Sequence, residues 1–406
     1  MEKREVEQYR TLSFWDAYED EQFYWISNVA FNGLFKIDKE DYSSQFILHF
    51  NEVGMGKGLH KQIISYNHYL IFIPELAHNI VVYNKVSGET KYISLEMPDS
   101  NKQELNVAQA YIYKDQIWLF PSFASQRIIV LNPFSWSISS YTYLKEYAKL
   151  CNLELSGRTF ATPVFIDEYA WIPIKNKNVI ICFNMETKEI DRYILQDDKI
   201  EINNISYNED IFYVTLSNQA DIVIWSPKKG ILERITIYDK WQGKSPAFSF
   251  AICIKEKQYL LLPARSEYIL LMKEGKIKQL PYPKEFYWVN DFKVEWTRIP
   301  AYKIKDNKID LYPSVGNMFL TYEIETEQLS GSICEIPREW TLKDIASKLF
   351  LPKYSRKMKC WGHVKEEKDF SIVDLLANLD QLKVDVNINQ DCCGKNIYEY
   401  IKKSLT

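Results

Sequence analysis

The chain has 406 residues, 46% of them hydrophobic and 15% aromatic, with a formal net charge of −4 at pH 7. Lys and Arg are dispersed among Asp and Glu, which leaves no basic face for nucleic acid. No stretch reaches the length of a membrane-spanning helix, and the polar opening Met1-Glu-Lys-Arg-Glu-Val-Glu-Gln has no apolar signal core. The expectation is a soluble cytoplasmic protein with neither nucleic acid nor membrane as partner, long enough for one large domain plus an appendage.

From Tyr24 to Tyr322 one unit recurs seven times: a short apolar run, usually closed by proline, a loop, and a second apolar run. Clear copies are Leu70-Ile-Phe-Ile-Pro74 with Ile80-Val-Val-Tyr83, and Ile117-Trp-Leu-Phe-Pro121 with Ile128-Ile-Val-Leu131. Further on come Trp171-Ile-Pro173 with Val179-Ile-Ile-Cys-Phe183, and Leu260-Leu-Leu-Pro263 with Tyr268-Ile-Leu-Leu-Met272. Taking Ser27, Pro74, Pro121, Pro173, Thr215, Pro263 and Pro313 as markers, the spacings are 47, 47, 52, 42, 48 and 50 residues. Repeats of this period are four-stranded blades or helical arrays. Runs of about five residues rich in Ile, Val, Phe, Tyr and Trp, bounded by Pro, Asn and Gly, read as strands.

Each unit holds four strands, in the second copy Gln62–Tyr66, Leu70–Pro74, Asn79–Tyr83 and Thr90–Leu95. Polar hairpins such as Asn84-Lys-Val-Ser-Gly-Glu89 and Asn184-Met-Glu-Thr-Lys-Glu189 join the third strand to the fourth. The middle strands are apolar throughout, which requires burial on both faces. The fourth strands, such as Lys188–Ile194, turn polar as a solvent-facing edge does.

This pattern, over about residues 13–337, resembles the seven-bladed β-propellers: all-β, four strands per blade, each blade sandwiched between two others. The kelch glycine doublet, the Gly-His…Trp-Asp signature, the sialidase box and the quinoprotein tryptophans are missing, so no subfamily is singled out. Extra residues between Pro281 and Pro300 leave six or eight blades open.

The expected organisation is an N-terminal segment (1–12), the propeller (13–337) and a helical C-terminal extension (338–406) docked on it. In the extension Leu342, Ile345, Ala346 and Leu349 share a helical face; Phe370–Leu379 and Ile397–Ile401 read as further helices. Gly394–Ile401 resembles the closing segment of some uncharacterised bacterial proteins, a likeness that implies no activity.

Candidate chemistry is sparse. Seven cysteines show no disulfide framework. His49, His60, His68 and His78 fall in the first two blades, but the blade plan sends His68 and His78 to opposite ends. They cannot meet on one ion and read as exposed loop residues. Cys360-Trp-Gly-His363 and Cys392-Cys393 have zinc-type donors in an arrangement ill suited to a tetrahedral ion. Gly54-Met-Gly-Lys-Gly58 lacks the Ser/Thr and the following helix of a phosphate loop and reads as an inter-blade turn. Glu75, Asp221 and Glu267, checked against two-carboxylate glycosidases, read as charged loop tips. No catalytic residue, metal or cofactor is assigned.

Propellers bind at the end built by the loops between second and third strands and the connections between blades, a fold-level analogy. Aromatic residues with interspersed arginines there suit a partner interface. The candidate binding residues are Phe123, Arg127, Arg158, Trp241, Arg265, Trp288, Trp296 and Arg298. Trp296 and Phe248 could instead start innermost strands and plug the channel. The leading expectation is a non-enzymatic module for a protein or peptide partner; the alternative is a carbohydrate- or small-ligand-binding propeller with glycan chemistry.

Overall fold

The computed structural model describes residues 11–28, 33–50, 59–95, 106–123, 127–141, 144, 147, 158–238, 246–288 and 297–337. The extension from 338 onward and the Gly54–Gly58 segment lie outside the described residues.

Among the described residues twenty-eight strands form seven sheets of four, each antiparallel and ordered as in the chain. The first blade is β1 (Ala17–Glu19), β2 (Phe23–Ser27), β3 (Gly33–Asp38) and β4 (Ser44–His49); the second is β5 (His60–Tyr66), β6 (Tyr69–Pro74), β7 (Asn79–Asn84) and β8 (Thr90–Ser94). The third is β9 (Val107–Tyr113), β10 (Gln116–Pro121), β11 (Ile128–Leu131) and β12 (Ile138–Tyr141); the fourth is β13 (Val164–Ile166), β14 (Tyr169–Pro173), β15 (Val179–Asn184) and β16 (Ile190–Ile194). The fifth is β17 (Ile202–Asn208), β18 (Ile211–Leu216), β19 (Asp221–Ser226) and β20 (Gly230–Thr236); the sixth is β21 (Phe248–Lys255), β22 (Gln258–Pro263), β23 (Leu270–Lys273) and β24 (Lys276–Gln279). The seventh is β25 (Ala301–Lys305), β26 (Lys308–Tyr312), β27 (Met318–Glu323) and β28 (Gln328–Ile333).

Burial explains the continuous apolar runs. Successive side chains of a strand point to opposite faces, so each middle strand feeds two seams. Leu70 and Phe72 of β6 pack with Trp25 and Leu34 of the first blade, whereas Ile71 and Ile73 pack with Ile117 and Leu119 of the third. On β10, Trp118 and Phe120 join Ala170 and Phe183 of the fourth blade. Seven such clusters fill the seven seams. Each fully buried Ile, Leu or Phe contributes about 1.5–3 kcal/mol. The outermost strands are far more exposed, β24 along its whole length.

The ring closes at its ends. Thr11 bridges Glu335, Leu12 N–H donates to Cys334 O at 3.2 Å, and Ser44 Oγ donates to Glu335 O. Phe14 packs at a tilt 4.6 Å from Phe319 in a cluster that joins first and last blades. Lys303 and Lys305 of β25 pair with Asp16 and Glu19.

At one end of the ring, two-residue turns join first strands to second: Asn67-His68, Lys114-Asp115, Asp167-Glu168, Glu209-Asp210 and Glu256-Lys257. Such turns need positive φ, and Lys114, Asp115, Glu209 and Asp210 adopt 47°, 56°, 48° and 63°. The third-to-fourth hairpins at this end are self-capped: Asn84, Asn132 and Asn184 Oδ1 each accept the N–H groups two and three residues on. Their left-handed positions hold Gly88, Trp136 and Lys188. Trp136 packs edge-on against Tyr69 at 5.1 Å, and Lys188 Nζ lies 4.0 Å over the Trp118 ring, so each hairpin grips the preceding blade.

Candidate binding face at the channel mouth

The opposite end is built by the loops after the second strands and the connections entering each blade. Main-chain bonds tie the two sets together: Glu75 N–H to Leu59 O (2.8 Å), Ser122 to Asn106 (2.7 Å), Ser217 to Glu201 (2.7 Å), Ala264 to Ala247 (2.9 Å) and Ser314 to Arg298 (2.9 Å). In each case the donor follows a second strand or its closing proline.

Four innermost strands carry a bulge here. Pairing runs His60↔Pro74 then Gln62↔Ile73, leaving Lys61 unmatched; Ala108, Asn203 and Ser249 are left over in the same way opposite Pro121, Leu216 and Pro263. A proline, which has no N–H, is tolerated where a ladder is already interrupted. This accounts for the proline that closes so many of the repeats.

A bulge re-aims the extra side chain, and these reach the next blade. Lys61 Nζ donates to Ala108 O at 2.9 Å, Asn203 Nδ2 to Phe248 O at 3.0 Å, and Ser249 Oγ to Ile299 O at 2.7 Å. Gln62 exchanges two bonds with Ala110, and Asp16 Oδ2 accepts Ile63 N–H at 3.0 Å. First strands therefore line the axis, linked by polar side chains.

At this mouth four charges gather from two blades, the second and the fourth. Arg158, in the connection entering the fourth blade, crosses the third to pair with Glu75 of the second. Glu75 is 1% exposed, and its Oε2 is shut from water without a hydrogen-bond partner among the described residues. Lys61 and Lys175 feel both groups. Lys175 is fixed through its N–H to Thr159 O at 2.8 Å, next to Arg158 in the chain. Burial in the channel wall, then repulsion by Lys61 and Arg158, bring the Lys175 ammonium down to about 8, with Glu75 opposing. Burial likewise lowers Lys61, where Glu75 opposes and Arg158 adds. Three cations face one carboxylate, an excess of two positive charges.

A second group lies across the ring. Arg298, entering the seventh blade, holds its guanidinium 4.8 Å over the Trp288 ring. Trp288 packs edge-on against Phe286 (4.8 Å) and Tyr282 (5.4 Å), and Tyr282 stacks on Phe286 at 4.4 Å. Asn317 fixes this segment by accepting Tyr287 N–H and donating to Glu285 O, both at 3.0 Å. Trp288 also bridges Gly316, where a Cβ would come within 2.9 Å of the Phe286 ring. Burial lowers the Arg298 pKa, opposed by Tyr282 and Glu267, with Arg265 adding to the shift.

The structure thus divides the expected binding residues. Arg158 joins the first group; Arg265, Trp288 and Arg298 form the second. Arg127 belongs to neither: its Nη1 is 3.5 Å from Ser140 Oγ on an outermost strand. Phe123 is half-buried on the loop after β10. Trp241 and Trp296 lie outside the described residues. Phe248 is buried in the seam between the fifth and sixth blades.

Three expectations need correction. Glu75 is a buried ion-paired carboxylate, because the short loop returns it under Arg158. Asp221 sits inside β19, bonded to Arg234 Nε at 2.8 Å, so of the three acids only Glu267 is an exposed loop residue. His60 is a core residue, 2% exposed, edge-on to Phe50 (5.1 Å) and Phe72 (6.2 Å). Lys61, Lys175 and Tyr282 were not singled out; Lys61 is placed by a bulge that no local pattern marks. Among the described residues no His/Cys/Asp/Glu group of three or more could hold a metal ion.

The chain is a seven-bladed β-propeller of four-stranded blades. No family model and no curated protein matches it. Among solved structures it is similar to a streptogramin B lyase, at 13% identity over 80% of this chain and 94% of that one, with a TM-score of 0.52. It is also similar to a virginiamycin B lyase from Staphylococcus aureus, a catalytically inactive variant with quinupristin, at 13% identity over 76% and 94%, TM-score 0.52. PorZ, a surface component of the type-IX secretion system of Porphyromonas gingivalis, matches at 8% identity over 81% of this chain and 39% of that one, TM-score 0.50. At these identities the likeness is one of fold.

Proposed function

We propose that this propeller is a non-enzymatic interaction module that takes an acidic segment of a protein partner at the channel mouth, over Lys61, Arg158 and Lys175. The observation that carries this reading is the charge imbalance around Glu75. Like charges held together in a partly desolvated wall repel strongly, and an incoming carboxylate relieves that repulsion. The Lys61 ammonium is already held by Ala108 O and the Lys175 main chain by Thr159 O, which lowers the ordering cost of binding.

Titration of the full chain with oligoglutamate, with oligolysine and a neutral peptide as controls, tests the reading. Oligoglutamate should bind with an affinity that falls as salt is raised, and Lys175→Met should weaken it at least about tenfold. Equal binding of all three peptides, or indifference to Lys175→Met, would remove the reading. Saturable binding of a neutral glycan at the same face would point to a carbohydrate propeller instead.

A further inference from the structure

We propose that Arg298, stacked on Trp288, is a second anchor on the same face, taking a further carboxylate of the acidic segment whose first contact is at Lys61, Arg158 and Lys175. This rests on the preceding reading and extends it: the partner is engaged at two points on opposite sides of the mouth. The first group draws on blades two and four; Arg298 stands at the entry to blade seven, across a seven-membered ring.

Four observations support it. The guanidinium carbon stands 4.8 Å from the centre of the Trp288 ring, a cation–π contact that holds the head group in place, and its donor fork matches a carboxylate in two bonds. Trp288 is itself fixed, by its pairing with Gly316 and by the Asn317 bonds to its segment. Arg298 Nη1 is out of contact with water and has no hydrogen-bond partner among the described residues. Its charge is therefore poorly solvated, and an oxyanion at the accessible edge of the fork offsets it. Finally, Arg265 and Arg298 together face the single carboxylate of Glu267, an excess of one positive charge, although Glu267 acts on Arg298 more strongly than Arg265 does.

Oligoglutamates of increasing length provide the test, titrated against the full chain and its Arg298→Gln, Trp288→Phe and Lys175→Met variants, with inorganic phosphate as competitor. Short oligomers reach only the first group, so Arg298→Gln should leave their affinity unchanged. Beyond the length that spans the mouth, affinity should step up in the wild type, and Arg298→Gln should remove that step, a loss of about tenfold. Arg298→Lys, which keeps the charge without the fork, should also lose most of it; this variant serves if Arg298→Gln fails to fold. A tryptophan fluorescence change with long oligomers should vanish in Trp288→Phe. Phosphate should displace short oligomers more readily than long ones; equal displacement means that a free anion suffices, and overturns two-point engagement. Unchanged affinity of long oligomers for Arg298→Gln and Arg298→Lys also overturns it, while sensitivity to Lys175→Met alone keeps the first reading. Sensitivity to Arg298 without sensitivity to Lys175 sinks the first reading and leaves Arg298 as a lone anchor.

Discussion

At the end of the ring that carries the two-residue turns, each turn is shaped by local bonds, and side chains such as Glu186, bonded to Tyr113 and Lys114, only then tie one blade to the next. Asn84 caps the hairpin it begins, and the turn at Glu209-Asp210 closes on the two strands it joins. At the mouth the important bonds reach far along the chain: Lys61 to Ala108, Ser249 to Ile299, and Arg158 to Glu75 across an intervening blade. The turn conformations of one end are set by neighbours in sequence. The other exists only once the blades have assembled, and that is where uncompensated charge has collected. Natural proteins tend to break local consistency at functional sites, and here the break is confined to one end.

The largest effect that would probe this contrast is Trp118→Ala. Trp118 is 2% exposed in the seam between blades three and four, under the Lys188 ammonium. The substitution should cost about 3–5 kcal/mol of stability, read from denaturant unfolding, while the folded fraction keeps its oligoglutamate affinity. Altered affinity would mean that the ends are coupled through the seam.

Next comes Lys175. Its folded pKa of about 8 lies below the ordinary 10.5, so between those values the unfolded chain binds more protons and stability rises with pH. A bound carboxylate favours the ammonium, so affinity should fall as pH rises past about 8. In Lys175→Met both dependences should flatten. A wild-type affinity that stays level from neutral pH to pH 9 would contradict the charge argument.

His60 tests the apolar floor of the mouth. Burial holds its imidazole down at about 3 against an ordinary 6.5, so it stays neutral when folded while the unfolded chain takes up a proton below 6.5. Stability is therefore lost as pH falls from about 6.5 towards 3. His60→Phe should shift the acid-unfolding midpoint to lower pH; an unmoved midpoint would show that other groups govern the transition.

The smallest effect belongs to the regular end. Replacing Glu209-Asp210 by Asn-Gly should stabilise by about 0.5–1 kcal/mol, because both positions already have positive φ and the relief of left-handed strain outweighs glycine's larger unfolded-state entropy. Thermal melting should register the gain and peptide binding should not. A change in binding would show that the ends communicate.

The same contrast explains what could be read from residues alone. Seven blades, their strand order and the polar rim followed from the spacing of apolar runs and from hairpins such as Asn84–Glu89, because period and turn chemistry are local. Arg158, Arg265, Trp288 and Arg298 were placed at the mouth because the blade plan says which loops share an end. Glu75 looked like a loop tip and His60 like a surface histidine, since their burial depends on residues such as Phe50 and Arg158 that the fold supplies from elsewhere. Arg127 shows what the blade plan leaves open: its loop is at the mouth, and its side chain reaches Ser140 on β12.

Because Thr11 and Leu12 lie against Glu335 and Cys334, the two ends of the described chain meet along one edge of the toroid. A peptide linker across that gap, with new termini opened at the Glu209-Asp210 turn, would give a circular permutant with every sheet intact. It would also convert the contact most distant in sequence among the described residues into a nearby one, so the permutant's refolding rate would report how far fastening that clasp governs assembly.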